Sequence, residues 1–376
     1  MNVLLPGGQL NGHVTVPQSK SLLHRHLICR FLADDHIENG SGGDDIAATR
    51  TVLRGLQSGE TTLPCGKSGT TLRLLLPVAM ALGKVGVTFS CDPQLLRRPV
   101  PAPLPMEKTA AGYRVTGPLT PGRYTLAADE TSQVISGLLL ALPLLNGDSE
   151  IILTTPAVSR PYLAMTVKTM ARCGVTATET PTGYRVPGGQ RYRAAPMAPE
   201  GDWSAAAWYV VYNALRGEDA VTVDNLTLPS LQGDSAVMNY VNRLPENVTL
   251  SDTPDLLPPL ALLAALQPGK TIRFTGGAFL RGKESDRLAA TAALLNALGG
   301  IVEETAEGLT VTGVSRLRGG TVDSRGDHRM AMLAAFAALF ATGPVALQDA
   351  QCVTKSYPLF WEDYTRLGGK REVLAP

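Results

Sequence analysis

Polar and apolar positions along this chain recur in one order: a short polar or charged cluster opens directly into a strongly apolar run. Six openings show it, QSKSLLHR at 18–25, GKSGTTLR at 66–73, DETSQVISG at 129–137, GDWSAAAW at 201–208, DTPDLLPP at 252–259 and GDHRMAM at 326–332. Each predicts a helix that starts at a capping residue and is apolar on nearly every side, so it must be buried almost all round. The first turn of a helix exposes free backbone N–H groups and partial positive charge, which attract anions. One opening alone is an ordinary cap. Six of them, several carrying Lys, Arg, His, Ser or Thr, point to a site for a polyanionic small substrate.

A second class of helix alternates with these. DIAATRTVLRGL at 45–56, PYLAMTVKTMARCG at 161–174, ESDRLAATAALLNALGG at 284–300 and YPLFWEDYTRLGG at 357–369 place apolar residues three and four apart, with charges on the other face and, in several, a glycine at the end. Short alternating runs predict strands at 13–16, 86–90, 123–127, 150–155, 220–225, 270–275 and 343–348. Alternation of strand and helix gives an α/β class, and the Gly/Pro turns after many strands favour mixed sheets over one long parallel sheet. Three openings follow a repeated strand, GYRVTG at 112–117, GYRVPG at 183–188 and GLTVTG at 308–313, so the unit is a supersecondary repeat.

Composition narrows the partners. At 376 residues the chain is long enough for two domains with sizeable cores. With 34 Lys+Arg against 33 Asp+Glu there is no basic excess of the kind that nucleic-acid binders carry. The cysteines, Cys29, Cys65, Cys91, Cys173 and Cys352, are scattered, odd in number and without CxxC spacing, which argues against a disulfide framework or a zinc site and fits a reducing cytosol. The beginning of the chain lacks the pattern of a signal peptide, and the longest apolar stretch, 134–145, is too short to span a bilayer. A cytoplasmic protein without membrane or nucleic-acid partners is expected.

With these motifs laid out, the chain resembles the enolpyruvyl transferase family, and within it the branch that uses shikimate 3-phosphate. The resemblance rests on P-x-S-K-S-x-x-H-R at 17–25, S-G-T-T-L-R at 68–73, L-x-R-R-P at 95–99, S-Q-x-I-S-G at 132–137, S-R-P-Y at 159–162, G-D-W-S-A-A-A at 201–207, P-D-L-x-P at 254–258, K-E-S-D-R-L at 283–288, G-D-H-R-M-A-M at 326–332 and K-S-Y-P at 355–358. They span nearly the whole chain. The resemblance implies an inside-out α/β barrel of two domains built from six βαβαββ units, three per domain, with the capped helices converging on the interdomain cleft. The domains would be 1–17 with 203–376, and 18–202, the chain crossing near Lys20 and Asp202.

It also implies a reaction. The enolpyruvyl group of phosphoenolpyruvate passes to the 5-hydroxyl of shikimate 3-phosphate with release of phosphate, by addition and elimination, and without a metal or organic cofactor. Physically this needs cations for two phosphates and two carboxylates, and acid–base groups for a hydroxyl and a vinyl carbon. By the resemblance, Thr131, Ser132 and Ser159, with Lys20 nearby, hold the phosphate of shikimate 3-phosphate. Arg25 and Ser21 take its carboxylate, Arg25 in bidentate fashion, and Gln133 and Tyr162 line its ring. Arg98, Arg287, Arg329 and Lys355 clamp phosphoenolpyruvate, with Gly69, Thr70, Lys20 and Gln133 close by. Asp255 is the expected base for the 5-hydroxyl. Lys20 and Glu284 are the candidates for moving the proton at the methylene carbon, and His328 for donating a hydrogen bond as the neutral imidazole.

Competing readings attach to particular residues. Capping alone would account for Thr131, Ser132 and Ser159, and a lone Arg98 or Arg329 would ordinarily be a solvated charge. Trp203, Trp208 and Trp361 read as packing residues, and His24 as packing or capping. Lys67 stands where the family has Asn or Glu, and either strengthens anion binding or points to solvent. A UDP-N-acetylglucosamine enolpyruvyl transferase would carry a reactive Cys at the position of Pro93. A non-catalytic anion binder has no need of Lys20, Asp255, Glu284 and Lys355 together, and an RNA-end-modifying relative would show a basic surface. The expected protein is a monomer acting on two small anionic substrates.

Overall fold

The structure is a computed structural model, describing residues 1–37, 40, 42–98, 100–196 and 200–374. Pro99, the last residue of the L-x-R-R-P segment, lies outside the described residues. The chain divides into two compact units, Met1–Gln18 with Glu200–Pro376, and Ser19–Pro199. Where it leaves and re-enters the first unit, Gln18 and Gly201 form an isolated antiparallel bridge, and the Asp202 amide donates to the Pro17 carbonyl at 2.8 Å.

One sheet design recurs among the described residues. In the second unit, Thr62–Gly66 lies parallel to Thr88–Cys91, which pairs antiparallel with Gly112–Val115, itself antiparallel to Met106–Lys108. Arg123–Leu126, Ser149–Leu153, Gly183–Val186 and Thr178–Thr180 repeat the same order and directions. In the first unit, Asn247–Thr249, Thr271–Thr275, Gly308–Thr312 and Ile301–Thr305 do so again. Gly320–Asp323, Val345–Gln348, Asn2–Gly8 and Gly369–Leu374 form a fourth such sheet, with the N-terminal strand supplying the third position. The mixed sheets follow from the connections. A helix joins each parallel pair, as a crossover must, and the antiparallel strands return by short turns. A further parallel pair, Gly12–Val14 with Val221–Val223, has the whole second unit inserted between its first strand and its helix, Trp203–Arg216.

The repeated glycine strands of the sequence occupy one place in three sheets. A Cβ on Gly112, Gly183 or Gly308 would lie 1.8, 2.0 or 1.8 Å from the carbonyl oxygen of Phe89, Ile151 or Phe274 on the neighbouring strand. Only a residue without Cβ lets the strands approach there. Two strands escape the alternation pattern because they contain proline. Pro64 sits on an edge strand, where its missing N–H has no partner to lose, and Pro6 lies in Asn2–Gly8 where the register shifts between Leu4 and Gly7.

All six apolar runs are helices: Lys20–Leu32, Gly69–Ala81, Gln133–Ala141, Trp203–Arg216, Leu257–Ala265 behind a short 3-10 turn Pro254–Leu256, and His328–Ala338. Gln133–Ala141 is buried from Val134 onward, and Leu257–Ala265 and His328–Ala338 are buried throughout. Lys20–Leu32 departs from the expectation, with Lys20, Ser21, His26 and Arg30 partly exposed. Each unit has its own core. That of the first is aromatic around Phe336, against which Trp208 stacks at 5.5 Å, and Trp203 and Trp361 are buried in it too. That of the second is mainly aliphatic.

Close helix packing in the second unit depends on Gly137. A Cβ there would sit 2.4 Å from the Arg73 carbonyl oxygen and 3.1 Å from that of Leu74. Backbone cannot yield as a side-chain tip can, so Gly137→Ala is expected to cost about 3 kcal/mol, the upper part of the range for overpacking. Urea denaturation reads the effect directly, and an unchanged midpoint would show that the two helices slide apart freely.

Candidate active site

In the first unit the site grows from the starts of three helices. Arg287 opens the helix Arg287–Ala297 behind Asp286, whose side chain accepts from the Ala289 amide at 3.1 Å. The residue is 1 % exposed, and its guanidinium is shared among three carboxylates. Nε donates to Asp327 Oδ2 at 3.0 Å, Nη1 to Asp255 Oδ1 at 2.8 Å and Nη2 to Glu284 Oε2 at 2.9 Å. Two of these carboxylates reach a second cation. Asp255 Oδ2 lies 2.6 Å from Arg329 Nη2, and Glu284 Oε1 lies 3.0 Å from Lys355 Nζ. Three cations and three carboxylates thus form one network, with Asp255 and Glu284 each bridging two cations.

Asp327 anchors the network. It is fully buried, caps the helix His328–Ala338 by accepting from the Arg329 amide at 3.0 Å, and accepts from Ser285 Oγ at 3.0 Å. Burial, the largest influence, would raise its carboxyl, but the Arg287 charge together with His328 and the bond from the Arg329 amide holds the group below the usual carboxylate range. Burial likewise opposes the Arg287 charge, yet Asp327, Asp255 and Glu284 together push its pKa up. His328 is buried at the first position of the same helix, its Nδ1 3.6 Å from Asp327 Oδ1. Asp255, Glu284, Arg287, His328, Arg329 and Lys355, six residues singled out in the sequence, therefore stand in one place.

In the second unit the helices starting at Lys20, Gly69, Gln133 and Arg160 carry the other cluster. Lys20 Nζ pairs with the buried Asp45 at 2.9 Å. Gln133 ties two helix starts together, donating to Thr70 Oγ1 at 3.0 Å and accepting from Arg73 Nη1 at 2.9 Å. Arg73 in turn approaches the carbonyl of Arg98, a partly exposed residue, at 3.5 Å. Gly69 stands at the tip of this arrangement, where a Cβ would meet Arg73 Nη1 at 2.7 Å.

Arg25 has a different setting from the one expected for a bidentate carboxylate ligand. It is buried, and burial lowers its pKa to about 10. Nε donates to Thr166 Oγ1 at 2.7 Å, Nη1 to the Ser21 carbonyl at 2.8 Å, and Nη2 to Ser136 Oγ and the Tyr162 carbonyl at 3.3 and 3.1 Å. A guanidinium has five N–H groups, so a bidentate grip on a ligand requires one of these bonds to be given up. The hydroxyls divide. Thr131 Oγ1 accepts from the Gln133 amide at 3.2 Å, which is capping, whereas the side chains of Ser132 and Ser159 make no capping bond to their helices. Ser159 is moreover held at φ 57°, a conformation that costs a non-glycine residue about 1–3 kcal/mol. Lys67 is exposed. His24 packs as a core group, its Nδ1 2.7 Å from Thr49 Oγ1 and its pKa lowered to about 3 by burial.

Several members of these clusters were given no role by the sequence. Asp45 lies on an amphipathic helix, and Arg73 and Asp327 stand inside the motifs at 68–73 and 326–332 but read there as one residue of an apolar run and as a plain cap. Asp234 sits on the short 3-10 turn Gly233–Ala236, buried, accepting a hydrogen bond from Ser204 Oγ. Only the fold brings it toward Asp255 and Arg329, the charges that act on it most. A polar residue outside any periodic run gives sequence reasoning nothing to hold.

Comparison with known proteins bears on the whole chain. Residues 56–244 and 241–364 match the family model described as EPSP synthase (3-phosphoshikimate 1-carboxyvinyltransferase). A 3-phosphoshikimate 1-carboxyvinyltransferase of Clostridium kluyveri is 35% identical, with 96% of each chain covered. One of Clostridium novyi is 33% identical, with 98% of each covered, and one of Methanocorpusculum labreanum is 34% identical, covering 98% of this chain and 99% of the relative. Among solved structures, an EPSP synthase of Acinetobacter baumannii superposes with a TM-score of 0.77 at 21% identity over the full length of both chains. The enolpyruvyl transferase NikO of Streptomyces tendae does so with 0.70 at 17% identity, covering 100% of this chain and 99% of that one. The two structural likenesses speak for the fold.

Proposed function

This chain belongs to the EPSP synthase family, and we propose that its two clusters carry the residues of the family's reaction. That reaction transfers the enolpyruvyl group of phosphoenolpyruvate to the 5-hydroxyl of shikimate 3-phosphate and releases phosphate, on the shikimate route to chorismate and the aromatic amino acids.

One observation carries the residue-level reading: Asp255 and Glu284 each bridge two cations in a largely buried network. Arg287, Arg329 and Lys355 bind the phosphate and carboxylate of phosphoenolpyruvate, with Arg98, Gly69, Thr70, Lys20 and Gln133 as further contacts. An anion that draws Arg329 to itself leaves Asp255 with less positive charge around it, and so makes it a better base. Asp255 then takes the 5-hydroxyl proton as the oxygen attacks. Lys20, an ammonium, and Glu284, a carboxylate between two cations, are the groups that give and take the proton at the methylene carbon. His328 donates to the developing negative charge.

Shikimate 3-phosphate is held by Ser132 and Ser159, whose side chains do not cap their helices, together with Thr131, Lys20, Ser21, Arg25, Gln133 and Tyr162, and Asp255 meets its hydroxyl. Backbone N–H groups at helix starts add to the phosphate site. Among the described residues no helix is long and apolar enough to cross a membrane, and all five cysteines are free. A cytoplasmic monomer acting on these two small substrates is part of the proposal.

Phosphate release by the purified protein tests the reading. Release with phosphoenolpyruvate and shikimate 3-phosphate, and none with UDP-N-acetylglucosamine in its place, is expected. Release with the nucleotide sugar alone would transfer the assignment to the other branch of the enolpyruvyl transferases.

A further inference from the structure

We propose that the second unit carries a binding site for an α-amino acid with an apolar side chain. The site is a cavity between the paired strands Thr178–Thr180 and Gly183–Val186 and the start of the helix Arg160–Arg172. None of the residues given a part in the reaction lines it.

The cavity measures about 490 Å³, a size suited to a small organic molecule. Its place follows from the local structure. Tyr184 pairs across the sheet with Ile151 on one side and Glu179 on the other. The Leu153 amide donates to the Thr182 carbonyl at 2.8 Å, which holds the turn between the two strands beside the end of Ser149–Leu153. From there residues 154–159 lead into the helix, whose first residue is Arg160. Leu153, the buried Leu163 and Tyr184 give the cavity its apolar lining.

Polar groups without partners mark what fills it. Tyr184 is 5 % exposed, and its hydroxyl has no hydrogen-bond partner among the described residues. Burial, then the Glu179 charge, push its pKa up to about 12 against the pull of Arg160, so it stays a donor at neutral pH. Thr180 Oγ1 is buried without a partner among the described residues as well. Such groups are costly to bury unpaired. The repeated strand avoids that cost elsewhere: Tyr113 of Gly112–Val115 is engaged by the Val100 backbone, and Gly308–Thr312 carries Leu309 at the same place.

Two opposite charges complete the lining. Arg160 Nη2 and Glu179 Oε1 stand 3.8 Å apart, with side chains 66 % and 63 % exposed. A pair that long and open contributes little, so a ligand parts it at small cost. An α-amino acid carries its carboxylate and ammonium on one carbon, two opposite charges at much the same spacing as the pair. Its carboxylate meets Arg160 and the Tyr184 hydroxyl, its ammonium meets Glu179, and its side chain meets the apolar lining. A plain anion would face Glu179 with a like charge, and a plain amine would face Arg160.

Titration calorimetry on the full chain tests this with L-leucine and L-phenylalanine, apolar amino acids of two sizes. Each is set against its deaminated acid and its decarboxylated amine. At least one amino acid is expected to bind with a Kd of about 1 mM or tighter, and its two truncated forms about tenfold more weakly or worse. Tyr184→Phe keeps the ring and removes the hydroxyl, and should weaken the amino acid about tenfold, as should Arg160→Ala. Glu179→Gln should bind the amino acid no better than its deaminated acid. Arg160 and Glu179 are exposed, so their variants decide the matter even where Tyr184→Phe fails to fold. No binding by either amino acid, an affinity that all three variants leave unchanged, or a deaminated acid bound by the parent as tightly as the amino acid overturns the proposal. None of the three residues is placed in the reaction, so such a result leaves the phosphate-release assignment standing.

Discussion

Asp255→Asn is expected to release phosphate from phosphoenolpyruvate and shikimate 3-phosphate at least about a hundredfold more slowly than the parent, the lower end of what a general base contributes. The substitution keeps shape and removes only the charge and the proton-accepting oxygen. Stability should fall modestly, by about 1–3 kcal/mol, because Arg329 loses its 2.6 Å partner while Arg287 keeps Asp327 and Glu284. KM for phosphoenolpyruvate should hold or drop, since the cations that Asp255 had engaged are released to the substrate anion. That combination separates a catalytic base from a structural carboxylate. Single-turnover phosphate release together with a thermal melt reads both. Activity within tenfold of the parent would remove Asp255 from the base role. Lys20→Ala should likewise fold and lose turnover by orders of magnitude.

The second large effect concerns Arg287. Arg287→Leu takes away the one group that serves Asp255, Glu284 and Asp327 at once, and leaves Asp327 fully buried without its compensating cation. Breaking a buried pair from one side costs about 3–5 kcal/mol, enough to lower the melting temperature by many degrees. Its pH dependence has a definite sign. In the parent, Asp327 is held below its unfolded value, so its contribution is present above that value and lost as pH falls through the depressed one. Without Arg287, burial governs, and the folded pKa rises above the unfolded one. The variant then binds an extra proton on folding and is penalised as pH rises. The gap between parent and variant should therefore narrow as the buffer moves from about pH 8 toward pH 5. Denaturant unfolding at several pH values measures this, and a gap that is constant with pH would mean that Asp327 finds another cation.

Much of the fold was legible because burial leaves a trace in every position of an element. The run Leu257–Ala265 is apolar at every step, so it has to be buried on every side, and it is. The strands Gly112–Val115, Gly183–Val186 and Gly308–Thr312 announced themselves as a repeat because each must begin with a residue lacking Cβ. Strands containing Pro6 and Pro64 were not legible, since proline is tolerated there only through an edge position or a register shift that the partner strands define. In the site, Lys20, Arg98, Arg287, Arg329 and Lys355 stood out by motif, but the settings of the cations did not. Arg25 and Arg287 look alike as letters. One gives four of its donors to hydroxyls and backbone carbonyls, and the other holds three carboxylates.

By itself, then, the sequence determined the class of the fold, the six helix starts and the anionic character of the substrate, because periodicity and capping are properties of neighbouring residues. The tertiary structure alone decided which charges face one another: Asp327 beneath Arg287, Asp45 against Lys20, Asp255 between Arg287 and Arg329. Those pairings join residues far apart in the chain. Their strength depends on burial, which removes the water that would otherwise screen each charge, and no local pattern of residues records how much water is left.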